Sequence, residues 1–311
     1  MASSNDNTNA LAALSSQLSD AVEQIGGYVV AIHARRRIPS SGVIWRDGVI
    51  VSASHTVRRD GDVRVKLPSG DDVVARVAGR DAATDLVVLR ATEMKSPPAP
   101  RADASAAGVG SFVLAVGRPG RNVTASFGIV SADIEGWRGA SGARLDRVLR
   151  LDLAVYDGFS GGALVAAAGG VIGINNSAFA RGGAAALPAS VVDTVVDELL
   201  THGHIRRPFI GVGVHPVALG SALVKRNNLT NDVALVVVSI AEGEAADAAG
   251  ILLGDLLVAV DGRPLARPSD LLDALSTVPE GGSLRAMVLR GGVPHEVVIE
   301  PRDRDRDGAA A

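Results

Sequence analysis

Between residues 28 and about 187 the chain is a succession of short apolar, β-branched runs broken by turn signals, and this alternation limits what it can fold into more than any other feature. The runs fall at 28–33, 42–45, 49–52, 63–67, 73–77, 86–89, 112–116, 127–134, 148–153, 163–165 and 171–174. Many of the breaks are Asp-Gly or Ser-Gly pairs, and no helical periodicity separates the runs. So many short strands without crossover helices point to an all-β barrel or sandwich rather than a parallel sheet. The proline-rich stretch 96–100 would join two such halves.

Helical spacing flanks this region. Leu11, Leu14, Leu18, Val22 and Ile25 share one face, and Gly26-Gly27 ends the stretch; residues 1–8 are polar and expected to be disordered. After Pro188, Ser190 with Asp193 three residues on is a capping-box-like start. Val191, Val192, Val195, Val196, Leu199 and Leu200 then form a stripe that Gly203 closes. Residues 201–207 read as a boundary. Residues 208–302 read as a small α+β unit, with strands at 209–214, 233–240, 256–260, 284–289 and 296–299 and one helix over 269–278. The expected division is therefore 1–27 (polar segment and amphipathic helix), 28–203 (all-β domain), 204–302 (α+β domain) and 303–311 (disordered tail). A chain of 311 residues suits two domains at roughly 150 residues each.

Composition excludes several chemistries. There is no cysteine, so disulfides, thiol catalysis and thiolate metal sites are out. The net charge of -3 with interspersed signs argues against a basic field for nucleic acid or a membrane surface, and Arg35-Arg36-Arg37 reads as a solvated loop. His202-x-His204 has no further ligand types around it and reads as a boundary loop; no metal or cofactor is expected. No apolar run reaches the ~20 residues that span a bilayer. The start has neither a basic end nor an apolar signal core, so the expected compartment is the cytoplasm as written, or the periplasm or extracellular space if an export signal was removed.

What remains is a serine. In Asp157-Gly158-Phe159-Ser160-Gly161-Gly162 the glycines reach backbone angles closed to other residues, which exposes a hydroxyl beside free N–H groups. Taken alone, this is an ordinary glycine-rich loop. A nucleophilic serine needs a base and a group to orient the base. His55 follows a strand among small residues, and Asp85 stands at the mouth of an apolar strand. Their order His55, Asp85, Ser160 within one all-β region carries the reading. The turn also fits Gly-x-Ser-x-Gly of α/β-hydrolases, but that fold needs strand–helix alternation and an acid and histidine after the serine.

These residues resemble the HtrA (Deg) family of trypsin-fold serine proteases. The resemblance rests on Ser41-Gly42-Val43-Ile44 with Asp47-Gly48, Ser54-His55-Thr56-Val57, Asp81-Ala82-Ala83-Thr84-Asp85-Leu86, Ala115-Val116-Gly117-Arg118-Pro119-Gly120, Gly128-Ile129-Val130-Ser131-Ala132, residues 152–162 and Ile172-Gly173-Ile174-Asn175. The resemblance implies two six-stranded β-barrels with His55, Asp85 and Ser160 as the triad. It also implies an oxyanion hole from the N–H groups of Gly158 and Ser160, with Phe159 as a further candidate. Three departures stand out: Phe159 replaces the usual Asn, Ala163 replaces the usual Pro, and Tyr156 adds a second aromatic where a smaller polar residue is usual. They leave a catalytically weak or inactive peptide-binding, chaperone-like protein as the alternative to an ATP-independent endopeptidase of protein quality control that cuts unfolded proteins.

By the same resemblance Ala154 lies at the base of the substrate pocket, with Asn176, Ser177 and Ala178 on the opposite wall, which implies small or medium apolar residues before the cut. Phe209-Ile210-Gly211-Val212 resembles the carboxylate-binding loop of PDZ domains, followed by Gly250-Ile251, Gly254-Asp255 and Val260-Asp261-Gly262. It implies binding of peptide C-termini by strand addition. Family members are often trimers built through N-terminal aromatics, and residues 1–27 contain none, so a homo-oligomer is left open.

Overall fold

The structure is a computed structural model that describes residues 3–35, 38–58, 61–103, 107–138, 144–179, 183–205 and 208–303. Helix α1 (Ser3–Gly26) opens the chain. It begins eight residues before Leu11, where apolar periodicity starts and where the expectation placed it. Its first turns are Ser, Asn, Asp and Thr, which carry no apolar stripe to read.

The chain then closes a first antiparallel barrel from β1 (Val29–His33), β2 (Ser40–Arg46), β3 (Val49–Ala53), β4 (Asp62–Lys66), β5 (Asp72–Asp81) and β6 (Leu86–Arg90). The strand order is β1-β2-β3-β6-β5-β4, and pairing of Ala31 with Lys66 shuts the ring. Val30, Ile32, Ile44, Ile50, Val65 and Leu89 fill it. A second barrel follows from β7 (Phe112–Gly117), β8 (Thr124–Arg138), β9 (Arg144–Asp152), β10 (Ala163–Ala166), β11 (Val171–Asn175) and β12 (Ala184–Pro188), in the order β10-β11-β12-β9-β8-β7. Closure removes the free edges that open sheets expose. A separate cluster joins the barrels: Val43, Trp45, Val51 and Val88 of the first pack with Leu114, Val116, Ala163 and Ile174 of the second.

Strand β12 has no run in the sequence reading. Ala184-Ala185-Ala186-Leu187-Pro188 lacks β-branched residues, yet it lies between β11 and β9 and is buried throughout. Neighbouring strands, not propensity, make it a strand. Helix α2 (Ala189–His202) ends at Gly203 with φ 78°, as expected, but the capping box at Ser190 does not form. Its N-cap is Pro188, and Asp193 instead accepts from Trp45 Nε1 (2.8 Å) and pairs with Arg101. The indole N–H is buried and needs an acceptor, and a carboxylate with a guanidinium beside it supplies one.

The described residues 208–303 form a second compact unit. Its sheet runs β14 (Val212–Ala218), β15 (Val233–Ile240), β16 (Leu256–Val260), β18 (Leu284–Arg290), β19 (Val293–Ile299), with β17 (Arg263–Pro264) on β16. Helices α3 (Ser221–Arg226), α4 (Ala245–Ala248) and α5 (Pro268–Ser276) accompany it; the first two are too short to show a period in sequence. The strand expected over 209–214 is interrupted: β13 (Pro208–Phe209) pairs with β20 (Arg302–Asp303), and β14 begins after Gly211. So Asp303, the first residue of the expected disordered tail, lies in a strand, while 304–311 lie outside the described residues, as do Arg36 and Arg37.

Candidate active site

Asp85 precedes β6 with φ 49°, a left-handed conformation that aspartate tolerates better than most side chains. The turn before it is held by Asp81, which accepts from Thr84 N (3.0 Å) and Thr84 Oγ1 (2.6 Å). Ser54 N donates to Asp85 O (2.7 Å), so the short helical turn Ser54–Thr56 after β3 is pinned to the same point. That places His55 against Asp85 twice. The His55 main-chain N–H donates to Oδ1 (2.8 Å), and its ring Nδ1 makes a short bond to Oδ2. A carboxylate only accepts, so Nδ1 carries a proton in this bond, and in the neutral ring the lone pair then sits on Nε2, the tautomer a general base requires.

Ser160 is nearly buried, and its hydroxyl lies 2.8 Å from Ser177 Oγ and accepts from Ser177 N (3.3 Å). Among the described residues these are its partners; His55 is not one of them. The hydroxyl is thus held by Ser177 rather than by His55.

The turn before Ser160 is closely fixed. Phe159 N donates to Tyr156 O (3.0 Å), closing a turn whose third residue, Gly158, has φ 89°. That angle belongs to a type II turn, where glycine is required. A Cβ at Gly158 would sit 2.6 Å from Pro119 Cβ and 2.7 Å from Pro39 O. Among the described residues, the N–H groups of Gly158 and Ser160 meet no acceptor. Phe159 stands corrected as a donor, because its N–H closes the turn. Its ring is fully buried and meets Tyr156 edge-on at 5.5 Å between centroids, while Tyr156 itself is 59% exposed. The residue that replaces the usual Asn is therefore a core anchor under the turn.

Of the residues assigned to the pocket, Ala154, Ser177 and Ala178 are exposed, but Asn176 is buried. Its amide donates to Asp85 Oδ2 (3.0 Å) and its carbonyl accepts from Ala178 N (2.8 Å). Asn176 is thus a third donor to the aspartate rather than a pocket wall. The sequence carried no sign of this, since an Asn after a strand is compatible with either direction. Ser177's contact with Ser160 was equally invisible.

In the second unit, Gly211 has φ 79° and a Cβ there would lie 2.5 Å from Glu244 Cβ. Ile210 O accepts from Ala246 N and Gly211 O from Ala241 N (both 2.8 Å), so the loop carbonyls face the domain. Among the described residues, the N–H groups of Ile210 and Gly211 meet no acceptor. Phe209 and Val212 are half-buried beside them. Strand β14, which follows, is an edge of the sheet and lies next to α5.

Residues 40–174 match the family described as trypsin-like peptidase domain, and residues 208–300 match the PDZ domain. A probable periplasmic serine endoprotease DegP-like of Rhizobium meliloti (strain 1021) is 32% identical over 274 residues, covering 86% of this chain and 53% of the relative. The serine protease Do-like HtrA of Lactobacillus helveticus is 35% identical over 273 residues, covering 81% and 65%. The chain thus spans little more than half of the first of these relatives. A serine endoprotease from Yersinia pestis superposes with a TM-score of 0.74 at 26% identity, covering 92% of this chain and 97% of that one. The HtrA-type protease AlgW with tripeptide gives 0.70 at 26%, covering 91% and 96%. Two closed barrels followed by a PDZ domain, with both sets of sequence likenesses falling on them, make the chain a member of the HtrA (Deg) family of trypsin-like serine proteases with a C-terminal PDZ domain.

Proposed function

We propose that the chain is an ATP-independent serine endopeptidase acting on unfolded or damaged proteins, with His55, Asp85 and Ser160 as its triad. The observation that carries it is the pair of hydrogen bonds from His55 to Asp85, main-chain N–H and ring, together with a buried serine in a turn with two unengaged amides. Ser160 Oγ attacks the peptide carbonyl while His55 Nε2 takes its proton. The oxyanion that forms is met by the N–H groups of Gly158 and Ser160. Collapse expels the amine, which takes the proton from His55, and leaves an acyl-enzyme. Water, deprotonated by His55, attacks the ester and releases the acid. Asp85 stabilises the imidazolium in both halves, and Asn176 fixes the carboxylate for that task. With Ala154 assigned to the pocket base, cleavage is proposed to follow small or medium apolar residues.

The expected outcome of Ser160→Ala is loss of casein hydrolysis by about 10⁶-fold, together with loss of covalent labelling by a fluorophosphonate. A parent chain that takes no label but still binds peptides would instead be the non-catalytic, chaperone-like protein.

The second unit is proposed to bind peptide C-termini, with the chain-end carboxylate on the Ile210 and Gly211 N–H groups and the peptide extending β14. Titration with an apolar-ended peptide should show binding, and its C-terminally amidated form should lose it. Equal affinity for both would remove the carboxylate site. Relatives named as periplasmic support an extracytoplasmic compartment.

A further inference from the structure

We propose that Ser41 and Arg118 are positioning residues of the oxyanion hole: a buried hydrogen-bond relay runs from the C-terminal end of α1, through Arg118 and the Ser41 hydroxyl, to the carbonyl of Gly158. The proposal rests on the endopeptidase reading above and concerns how its hole is held.

The relay begins where α1 ends. Arg118 is 7% exposed, and its guanidinium donates to three main-chain carbonyls: Nη2 to Gly26 O (2.7 Å), Nε to Val29 O (2.6 Å) and Nη1 to Arg121 O (2.7 Å). Among the described residues no carboxylate pairs with it. Burial accordingly lowers its pKa. An arginine buried without a counter-ion is costly unless its donors are engaged, and here the acceptors are the end of α1 and the start of β1.

The same residue's main-chain N–H donates to Ser41 Oγ (2.7 Å). A hydroxyl has one proton to give. With Arg118 N–H on one lone pair, the Ser41 proton goes to Gly158 O at 2.6 Å. Ser41 is fully buried, and Gly117 leaves it room, since a Cβ there would lie 3.0 Å from Ser41 Oγ.

Gly158 C=O and Phe159 N–H are the two ends of one peptide group. Ser41 binds the first, and Tyr156 O binds the second at 3.0 Å. The plane is pinned on both sides. The direction of the Gly158 N–H then has only the Gly158 backbone angles left to vary. A donor aimed at the oxyanion acts in proportion to its alignment, and misplacement of about 1 Å costs about 10²-fold. The oxyanion turn of the second barrel is thereby referenced to β2 of the first barrel and to the docked end of α1.

The test compares Ser41→Ala, Ser41→Thr and Arg118→Gln with the parent, each checked for native far-ultraviolet circular dichroism. The readouts are kcat and KM on a fluorogenic peptide, and Ki for a peptide aldehyde, whose adduct puts an oxygen in the hole. Ser41→Ala should lower kcat by about 10- to 100-fold, leave KM within about twofold, and raise Ki by the same factor as the loss in kcat. Ser41→Thr, which keeps the hydroxyl, should stay within about threefold of the parent. Arg118→Gln keeps the N–H to Ser41 but loses the tie to α1, and should cost about tenfold in kcat. Should Ser41→Ala fail to fold, Arg118→Gln decides alone. Folded variants with parental kcat overturn the relay, as does a fall in kcat with Ki unchanged. A parent that takes up no fluorophosphonate overturns the protease reading and the relay with it, whereas an active parent whose variants match it overturns only the relay.

Discussion

Beside the proposed triad, Ser177 is the side chain that holds Ser160 at rest. Its hydroxyl and N–H both meet Ser160 Oγ, at 2.8 and 3.3 Å, and both compete with His55 for the same oxygen. Replacing the hydroxyl removes one hydrogen bond of net worth about 0.5–1.5 kcal/mol. Ser177→Ala should therefore speed fluorophosphonate labelling of Ser160 by about threefold to tenfold, read as the second-order rate of inactivation. A slower rate would mean that Ser177 assists attack. Asn176 acts on the other end of the triad, through Asp85 Oδ2. Neither role is visible in the one-dimensional pattern, where both residues follow a strand as plain polar neighbours.

At the level of elements, the proposed mechanism depends most sharply on the 156–159 turn. Gly158 lies in the left-handed region with Pro119 and Pro39 O packed where a Cβ would go. Gly158→Ala should shift the turn, misdirect the N–H and lower kcat by about 10²–10³-fold, with KM little changed and the fold retained; steady-state kinetics with circular dichroism checks this. A parental kcat would show that Gly158 N–H is not a donor to the transition state. Strand β12 teaches the complementary lesson. Alanines that favour helix in isolation are held extended because Ala184–Ala186 register against Leu149–Leu151 of β9.

For the molecule as two units, the second carries a buried carboxylate that makes its stability depend on pH. Asp255 is 1% exposed and receives Arg290 Nε (2.9 Å), Arg290 Nη2 (2.7 Å) and Leu252 N (2.9 Å). Burial alone would raise its pKa; the Arg290 hydrogen bonds, the Leu252 N–H and the Arg290 charge outweigh it and hold the carboxyl below its usual range. A carboxyl lowered by folding contributes stability that is complete above the unfolded value of about 3.9 and is lost as pH falls through the lower folded value. The thermal midpoint of this unit should hold from neutrality to about pH 5 and fall on further acidification. Asp255→Asn should lower the midpoint at pH 7 by several degrees, and the gap from the parent should shrink in acid. A gap constant with pH would remove the ion pair as its cause.

The amino-acid sequence alone determined the strand-rich first region and the α+β second unit, and it brought His55, Asp85 and Ser160 forward as candidates by type and order. These signals are local: alternation, turn glycines and flanking small residues act within a few positions. Only the tertiary structure decided that Asn176 points at Asp85, 91 positions away, and that the Ser41 hydroxyl meets Gly158, 117 positions away. It likewise decided that Phe159 lies under its turn and that Ser160 rests on Ser177. A polar side chain takes its direction from whichever donor or acceptor barrel closure brings within about 3 Å, and that partner is not encoded in the chain beside it.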